Sequence, residues 1–295
     1  MPRIAIVTDS SSNLSPELTA RHDIHVLPYY LVAGGRMLRD GIQISRDEVF
    51  RLLRDGRHLP LTKAPTREDF AALFRSLLGK ADAALVVLPP RERTAAYQHA
   101  DSARQRIPEL PVTLLDSRLT SVGQGLVVLA AARARDAGGN VEKAAAAARR
   151  AIDRMEFWIV LESLKFAARS GRVPNIDRFE GEAPVRLPSA LDNADDRAPA
   201  RVPILRHENG APHVVFTARG FDQATARLKT ELAARFEGKR LHVAIAHAGD
   251  VERVEPIQEW IASRYAPVEL HVLEIPPIIA VYSGPGAIGV AAYDE

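Results

Sequence analysis

Ile4-Ala5-Ile6-Val7-Thr8-Asp9-Ser10-Ser11-Ser12-Asn13-Leu14 decides how this chain is read. Ile4 to Thr8 are apolar or β-branched and predict a buried strand. Asp9 to Ser12 crowd short polar side chains into one turn. A helix follows, with Ser15 as its cap, Pro16 at its first position and Glu17 at its positive end. A strand that runs through a polar loop into a helix opens a parallel α/β domain, whose ligands bind outside the carboxyl ends of the strands. Ser10, Ser11 and Ser12 stand at that edge. They serve either a ligand or the backbone of a tight turn.

The same pattern recurs downstream. Ala83 to Leu88 is a continuous apolar strand ending at Pro89-Pro90-Arg91-Glu92-Arg93-Thr94, and Thr94 caps the next helix. Val112 to Leu115 ends at Asp116-Ser117, ahead of a long Ala/Leu-rich helix. In a parallel sheet these loops share one edge with Asp9, and their hydroxyls and helix N-termini suit an anionic head group. Between the first and second such units lie an extended segment from Ile24 to Val32, a helix capped by Ser45 with Glu48 in a capping box, and a helix capped by Thr66. Thr62, held extended between Pro60 and Pro65, has no predicted helix or strand to serve and is a candidate ligand contact.

After the helix Val141 to Asp153 the pattern changes. The second half reads as α+β: a strand from Phe157 and a short helix from Glu162 to Ala168. A basic turn follows at Arg169-Ser170-Gly171-Arg172, then a hairpin at Asn209-Gly210 and a helix from Phe221 to Phe236. Two strands flank a further helix, and the chain closes on Ile278 to Val281, a strand, then a glycine turn and a last strand. The expected domains are residues 1–157, an α/β/α layer structure on a parallel sheet, and 158–295, a two-layer α+β domain with a long loop at 174–202.

Composition narrows the function. The 295 residues are 46% hydrophobic and 26% charged with a net charge of +2, the profile of a globular protein of two domains. No dense Lys/Arg run points to nucleic acid. The absence of cysteine excludes disulfides, thiolate metal sites and a thiol nucleophile. No His/Asp/Glu cluster has metal-ligand spacing, no P-loop or other nucleotide signature is present, and no apolar run approaches a membrane span. The first strand starts within a few residues of Met1, so no leader peptide and a cytoplasmic location are expected.

Several stretches together resemble the DegV family of bacterial fatty-acid-binding proteins. They are Ile6 to Leu14, Arg39-Asp40-Gly41-Ile42, Thr62 with Pro65 and Glu68-Asp69-Phe70, and Tyr97-Gln98. Asp116-Ser117 with Ser121 and Gly123, Gly171-Arg172-Val173, and Pro203-Ile204-Leu205 follow. His247-Ala248-Gly249-Asp250 and Ser283-Gly284-Pro285-Gly286-Ala287-Ile288-Gly289 complete the series. The resemblance implies one long-chain fatty acid in a buried tunnel, its carboxylate near the inter-domain surface, presented to a separate kinase that makes an acyl phosphate. It implies a lipid-binding subunit of a fatty acid kinase, with no catalytic residue, cofactor or metal of its own. Carried over, Thr62 matches the threonine on the carboxylate and Thr94 falls at a serine contacting the same group. Arg172 matches an arginine near the head group, and Ser10, Ser11 and Ser117 line or brace the edge. The chain departs from the family at Pro90-Arg91, where a serine pair is common, and at Ala95-Ala96, where Gly-Thr is common. It departs also at Ser170, where a glycine is usual, and at Tyr282-Ser283, where the family has His-Thr and the histidine contacts the carboxylate. Tyr282 replaces it as a neutral phenolic donor and brings no positive charge.

Two other classes compete. A serine acyl hydrolase using Ser10 or Ser117 lacks a Gly-x-Ser-x-Gly elbow, and a smaller anionic ligand could occupy the same edge. A relative of the substrate domain of dihydroxyacetone kinases, which shares the implied fold, would carry a histidine where Tyr282 stands near the glycine turn.

Overall fold

The computed structural model describes residues 3–56, 59–175 and 201–295. The chain divides into two compact units: 1–155 with 275–281, and 156–274 with 282–295.

The first unit is built on a four-stranded parallel sheet. Its strands are β1 (Ile4–Asp9), β2 (Ile24–Leu27), β6 (Ala83–Leu88) and β7 (Val112–Asp116), in the order β2-β1-β6-β7. β1 and β6 are buried along their whole length, which is why both read as unbroken apolar runs. Helices α3 (Arg67–Leu77) and α4 (Ala96–Arg104) cover one face, with Phe70, Phe74, Ala96 and Ala100 packed on Val7, Val86 and Leu88. Helices α5 (Ser121–Asp136) and α6 (Val141–Arg154) also pack against the sheet and against each other. The chain leaves β1 toward β2 on one side and pairs β6 on the other, so the strand order reverses between β1 and β6. Crevices of that kind hold ligands in open α/β sheets. The sequence-predicted caps are present: Ser15 on α1 (Pro16–Arg21), and reciprocal capping boxes Ser45/Glu48 on α2 (Arg46–Asp55) and Thr66/Asp69 on α3.

Several local expectations change. The extended segment Ile24 to Val32 is two strands in different sheets, β2 and β3 (Tyr30–Ala33), because Pro28 interrupts it without an N–H to donate. β3 is the centre of a small antiparallel sheet, flanked by β4 (Arg36–Arg39) and β5 (Leu61–Lys63). Thr62 therefore does serve a strand, opposite Leu31. The third change is at the end of the chain. Residues Pro277–Ser283, expected to begin as a strand, form a helix (α10). Pro277 suits the first turn, and Ile279 and Ala280 donate to the Pro276 carbonyl, outweighing the β-branched pair Ile278-Ile279.

The second unit is a six-stranded mixed sheet. Its strands are β8 (Glu156–Val160), β9 (Arg201–Glu208), β10 (Ala211–Arg219), β11 (Leu241–His247), β12 (Glu269–Glu274) and β13 (Ile288–Asp294). They run in the order β10-β9-β8-β13-β11-β12. Asn209-Gly210 turns the β9–β10 hairpin as its sequence predicts. Helices α8 (Phe221–Phe236) and α9 (Glu255–Tyr265) supply Leu228, Leu232, Phe236, Ile257 and Ile261 to a core with Trp158, Ile204 and Ile245. The short helix expected from Glu162 is confined to Lys165–Arg169 (α7). Most of the long loop expected at 174–202 lies outside the described residues. The architecture is thus α/β, a parallel-sheet sandwich and a second α/β unit on a separate mixed sheet.

Candidate functional site

In the first unit the loop after β1 forms a 3-10 turn, Ser10–Ser12, closed by Asn13 in the left-handed conformation. Helix α5 presses directly on it. A Cβ on Gly125 would sit 2.5 Å from the Ser12 carbonyl oxygen, so only glycine lets the helix approach this closely. The approach brings Gln124, fully buried, into the β1 loop. Gln124 Nε2 donates to Thr8 Oγ1 at 3.1 Å, and Thr8 in turn donates to the Val87 carbonyl at 2.9 Å. Thr8 thereby fixes which way the Gln124 amide points. The other end, Gln124 Oε1, lies 2.9 Å from Ser11 Oγ, and Ser11 Oγ lies 2.5 Å from Asp9 Oδ1.

Ser11 has one hydroxyl proton and faces two acceptors. Asp9 Oδ1 is the shared acceptor, taking the Ser11 hydroxyl, the Ser11 N–H at 3.0 Å and Gln124 Nε2 at 3.4 Å. Burial, opposed by the Ser11 and Gln124 hydrogen bonds and assisted by repulsion from Asp40, pushes the Asp9 carboxyl up to about 7. Asp40 is itself raised to about 6 by burial, against hydrogen bonds from Ser10 and from the Ile278 N–H at 2.9 Å. Asp9 Oδ2, Asp40 Oδ2 and Ser12 Oγ are buried without a hydrogen-bond partner among the described residues.

Ser10 joins this buried pair to an outer hydroxyl group. It bonds Asp40 and accepts the Tyr29 N–H at 3.0 Å, while the Asp40 N–H returns to the Tyr29 carbonyl at 2.9 Å. The Tyr29 hydroxyl meets Thr94 Oγ1 at 2.7 Å and Thr94 accepts the Ala96 N–H at 3.3 Å, but the cap position of α4 is held by Ala95, so Thr94 stands one residue ahead of the cap expected of it. Ser10, Tyr29 and Thr94 are therefore one relay. Thr62 stands on β5, beside β3, the strand that follows Tyr29 directly. Ser117 plays a different part. It is fully buried, donates to the Leu119 carbonyl and accepts the Leu119 N–H, so its hydroxyl is used within its own turn. Ser11 is likewise a brace. Sequence reasoning missed Tyr29 and Gln124, which tie these loops together; an aromatic after Pro28 and a glutamine in an apolar helix were their only local signals.

In the second unit the basic turn after α7 meets the end of α10. The Arg172 guanidinium lies over the Tyr282 ring, 4.4 Å from its centroid, and Nη2 donates to the Tyr282 hydroxyl at 3.1 Å. Ser283 Oγ sits 3.3 Å from the Gly284 carbonyl. The glycine turn is pinned from outside: Gly284 and Gly286 have φ of +70° and +69°, with no room for a Cβ against the Phe166 ring and the Glu162 carboxyl respectively. Arg253 holds Glu162 at 2.5 Å and Asp250 at 2.8 Å, tying the His247–Asp250 loop to that turn. His247 is buried and accepts the Gly249 N–H at 3.3 Å, a structural use. Among the described residues no helix is long and apolar enough to cross a membrane, and no group of three His, Asp or Glu side chains is placed to hold a metal ion.

Comparisons with known proteins agree over the full length. A DegV domain-containing protein of Streptomyces coelicolor is 28% identical over 288 residues, covering 97% of each chain. The solved structure "Fatty Acid Binding of a DegV family Protein from Thermus thermophilus" is 29% identical with a TM-score of 0.88, covering 99% of this chain and 100% of that one. A Bacillus subtilis structure, "DegV, a fatty acid binding protein", superposes with a TM-score of 0.85 at 22% identity over the whole of both chains and shares the fold. The family model described as "Uncharacterised protein, DegV family" matches residues 3–183 and 202–295. The chain belongs to the DegV family.

Proposed function

We propose that this chain binds one long-chain fatty acid and presents its carboxylate to a separate kinase that forms the acyl phosphate. The observation that carries the reading is the full-length likeness, at 29% identity, to the Thermus thermophilus protein described by its fatty acid binding. The chemistry of the first unit supports it. The Thr94–Tyr29 hydroxyl pair, at the start of α4, supplies neutral donors of the kind that hold a carboxylate by charge-assisted hydrogen bonds, with Thr62 of β5 proposed to join them. Affinity comes mainly from the tail: about fifteen methylenes at roughly 0.8 kcal/mol each are worth on the order of 12 kcal/mol before ordering costs.

The proposed role is that of a lipid-binding subunit without catalysis of its own. Against an acyl hydrolase, Ser10 and Ser117 commit their hydroxyls to Asp40 and the Leu119 carbonyl rather than to a histidine base. His22 and His99 of the same unit bond Asp136 and the Pro65 carbonyl. The kinase partner and the cytoplasmic setting belong to the proposal.

Native mass spectrometry of the purified protein, followed by denaturing extraction and lipid analysis, tests the reading. One co-purified fatty acid per chain is expected. A lipid-free protein that also takes up no added long-chain fatty acid would overturn it and leave a smaller anion as the ligand.

A further inference from the structure

The small antiparallel sheet of the first unit has one face open to solvent, built of two side-chain rows. Register sets Leu61 of β5 and Met37 of β4 on either side of Val32 of β3, and, two residues along, Lys63 and Arg39 on either side of Tyr30. Side chains alternate along a strand, so these six share a face and Thr62, Leu31 and Leu38 form the row on the reverse. The reverse row is turned inward, with Leu31 fully buried. On the outer face Leu61 is 68% exposed and Met37 53%, and Lys63 and Arg39 are exposed beside them. Ile42, in the turn after β4, is 68% exposed as well, and Arg36 stands exposed at the rim. We infer that this face seats the chain on an anionic lipid bilayer, Leu61 and Met37 entering the headgroup boundary while Lys63 and Arg39 meet lipid phosphates. In its purpose, collecting an acyl ligand where such ligands dissolve, the inference rests on the fatty-acid reading above.

The charge on this face has one sign. Among the described residues Arg36, Arg39 and Lys63 form no ion pair; Arg39 bonds the Tyr30 hydroxyl, which donates to Asp69 at 3.0 Å. The carboxylates nearest in sequence are committed elsewhere: Asp69 also to Thr66, Glu68 to Arg67 and Asp47 to Arg46. Exposed apolar side chains flanked by cations are the pattern that lies in a membrane interface. Two features favour lipid over a protein partner. The three strands make a face about 10 Å across and about 13 Å along, far short of the roughly 800 Å² that each partner gives to a stable protein–protein interface. Apart from the Tyr30 hydroxyl, already given to Asp69, the two rows hold no uncharged hydrogen-bonding side chain. A protein interface draws its specificity from such groups, whereas lipid phosphates need only cations at their depth. The contact is weak and reversible, since two cations and two partly inserted side chains make no stable anchor.

The test is cosedimentation of the full chain with large vesicles of phosphatidylglycerol and phosphatidylethanolamine and, separately, of phosphatidylcholine alone. Binding to the anionic vesicles only is expected, falling steeply between about 0.05 M and about 0.5 M salt as screening tightens. Arg39→Gln with Lys63→Gln should weaken it about twenty-five-fold, roughly fivefold for each cation. Arg149→Gln with Arg150→Gln, the same loss of charge at exposed positions of α6, should change it by no more than about twofold. Met37→Ser with Leu61→Ser should weaken it about tenfold. Equal losses in the two charge-removing pairs, or a serine variant that binds as the wild type does, overturns the inference. A wild type that ignores the anionic vesicles also overturns it, and gives the face to a second copy if the chain self-associates in sedimentation velocity and Leu61→Ser abolishes that. Lipid extraction and fatty acid uptake on the same preparation keep the two readings apart. A chain that neither carries nor takes up fatty acid but binds the anionic vesicles overturns the fatty-acid reading and leaves the surface standing; a chain that carries fatty acid and ignores the vesicles overturns the surface alone.

Discussion

Asp9→Asn is the sharpest probe of the β1 loop. Asp9 and Asp40 both titrate higher in the folded protein than in the unfolded chain, about 7 and about 6 against an ordinary 3.8. The folded state therefore holds the extra protons. The stability they add is full below about pH 4 and gone once the pH has passed about 7. Between about pH 5 and about pH 8 the linkage relation gives about 3 kcal/mol for Asp9 and about 1 kcal/mol for Asp40, a fall of about 4 kcal/mol in all. Asn cannot ionise, so Asp9→Asn should leave only the Asp40 part of that slope. Tryptophan fluorescence is the wrong assay, because Trp158 and Trp260 both lie in the second unit. Amide hydrogen exchange by mass spectrometry, corrected for the intrinsic pH dependence of exchange, reads β1 and α5 directly. Peptides there should open several hundredfold more readily at about pH 8 than at about pH 5 in the wild type, and only about tenfold more readily in Asp9→Asn. A wild type with no slope, or a variant with the full slope, would refute the raised Asp9 carboxyl.

Gly125→Ala should destabilise the first unit by about 1–3 kcal/mol, since its Cβ meets a backbone oxygen that cannot step aside; chemical denaturation followed by far-UV circular dichroism would show it. Thr94→Val and Ser117→Ala should separate presentation from bracing. Thr94→Val removes the hydroxyl proposed to meet the ligand and should weaken fatty acid binding about tenfold, the lost bonds to Tyr29 and the Ala96 N–H costing only about 1 kcal/mol of stability. Ser117→Ala should cost about 1–3 kcal/mol of stability through the two lost bonds to Leu119, with affinity kept. Binding and melting measured on the same preparations decide between them, and a Ser117→Ala protein that melts normally but binds poorly would reverse the assignment.

What the sequence made legible was local. Strand β1, the caps at Ser15, Ser45 and Thr66, the Asn209-Gly210 turn and the bounds of Phe221–Phe236 each rest on signals within a few residues, and each forms as read. The failures have physical causes. Ile278-Ile279 reads as strand by propensity, yet the Pro276 carbonyl and the distant Asp40 carboxylate satisfy the N–H groups of a helix there. Thr62 joins a strand only because β3 is present to pair with it. The polar contacts that define the site span too much sequence to leave a period: Gln124 to Thr8, Tyr29 to Thr94, Arg172 to Tyr282. The resemblance to a family located Arg172 and Tyr282 as separate matches and departures, but their stacking appears only in three dimensions.

The division of labour among the hydroxyls also explains why a triple serine follows β1. Ser11 is committed to Asp9 and Gln124, so its place is to hold the turn against α5. Ser10 faces the other way, toward Tyr29 and Asp40, and passes the position of that turn to Thr94. The two serines are adjacent in sequence but belong to different networks because the 3-10 turn rotates successive side chains by about a third of a circle. The acids behind Ser10 gain charge as the pH rises through about 6 and about 7, so this edge carries least negative charge in mild acid and loses both stability and tolerance of an anion toward high pH.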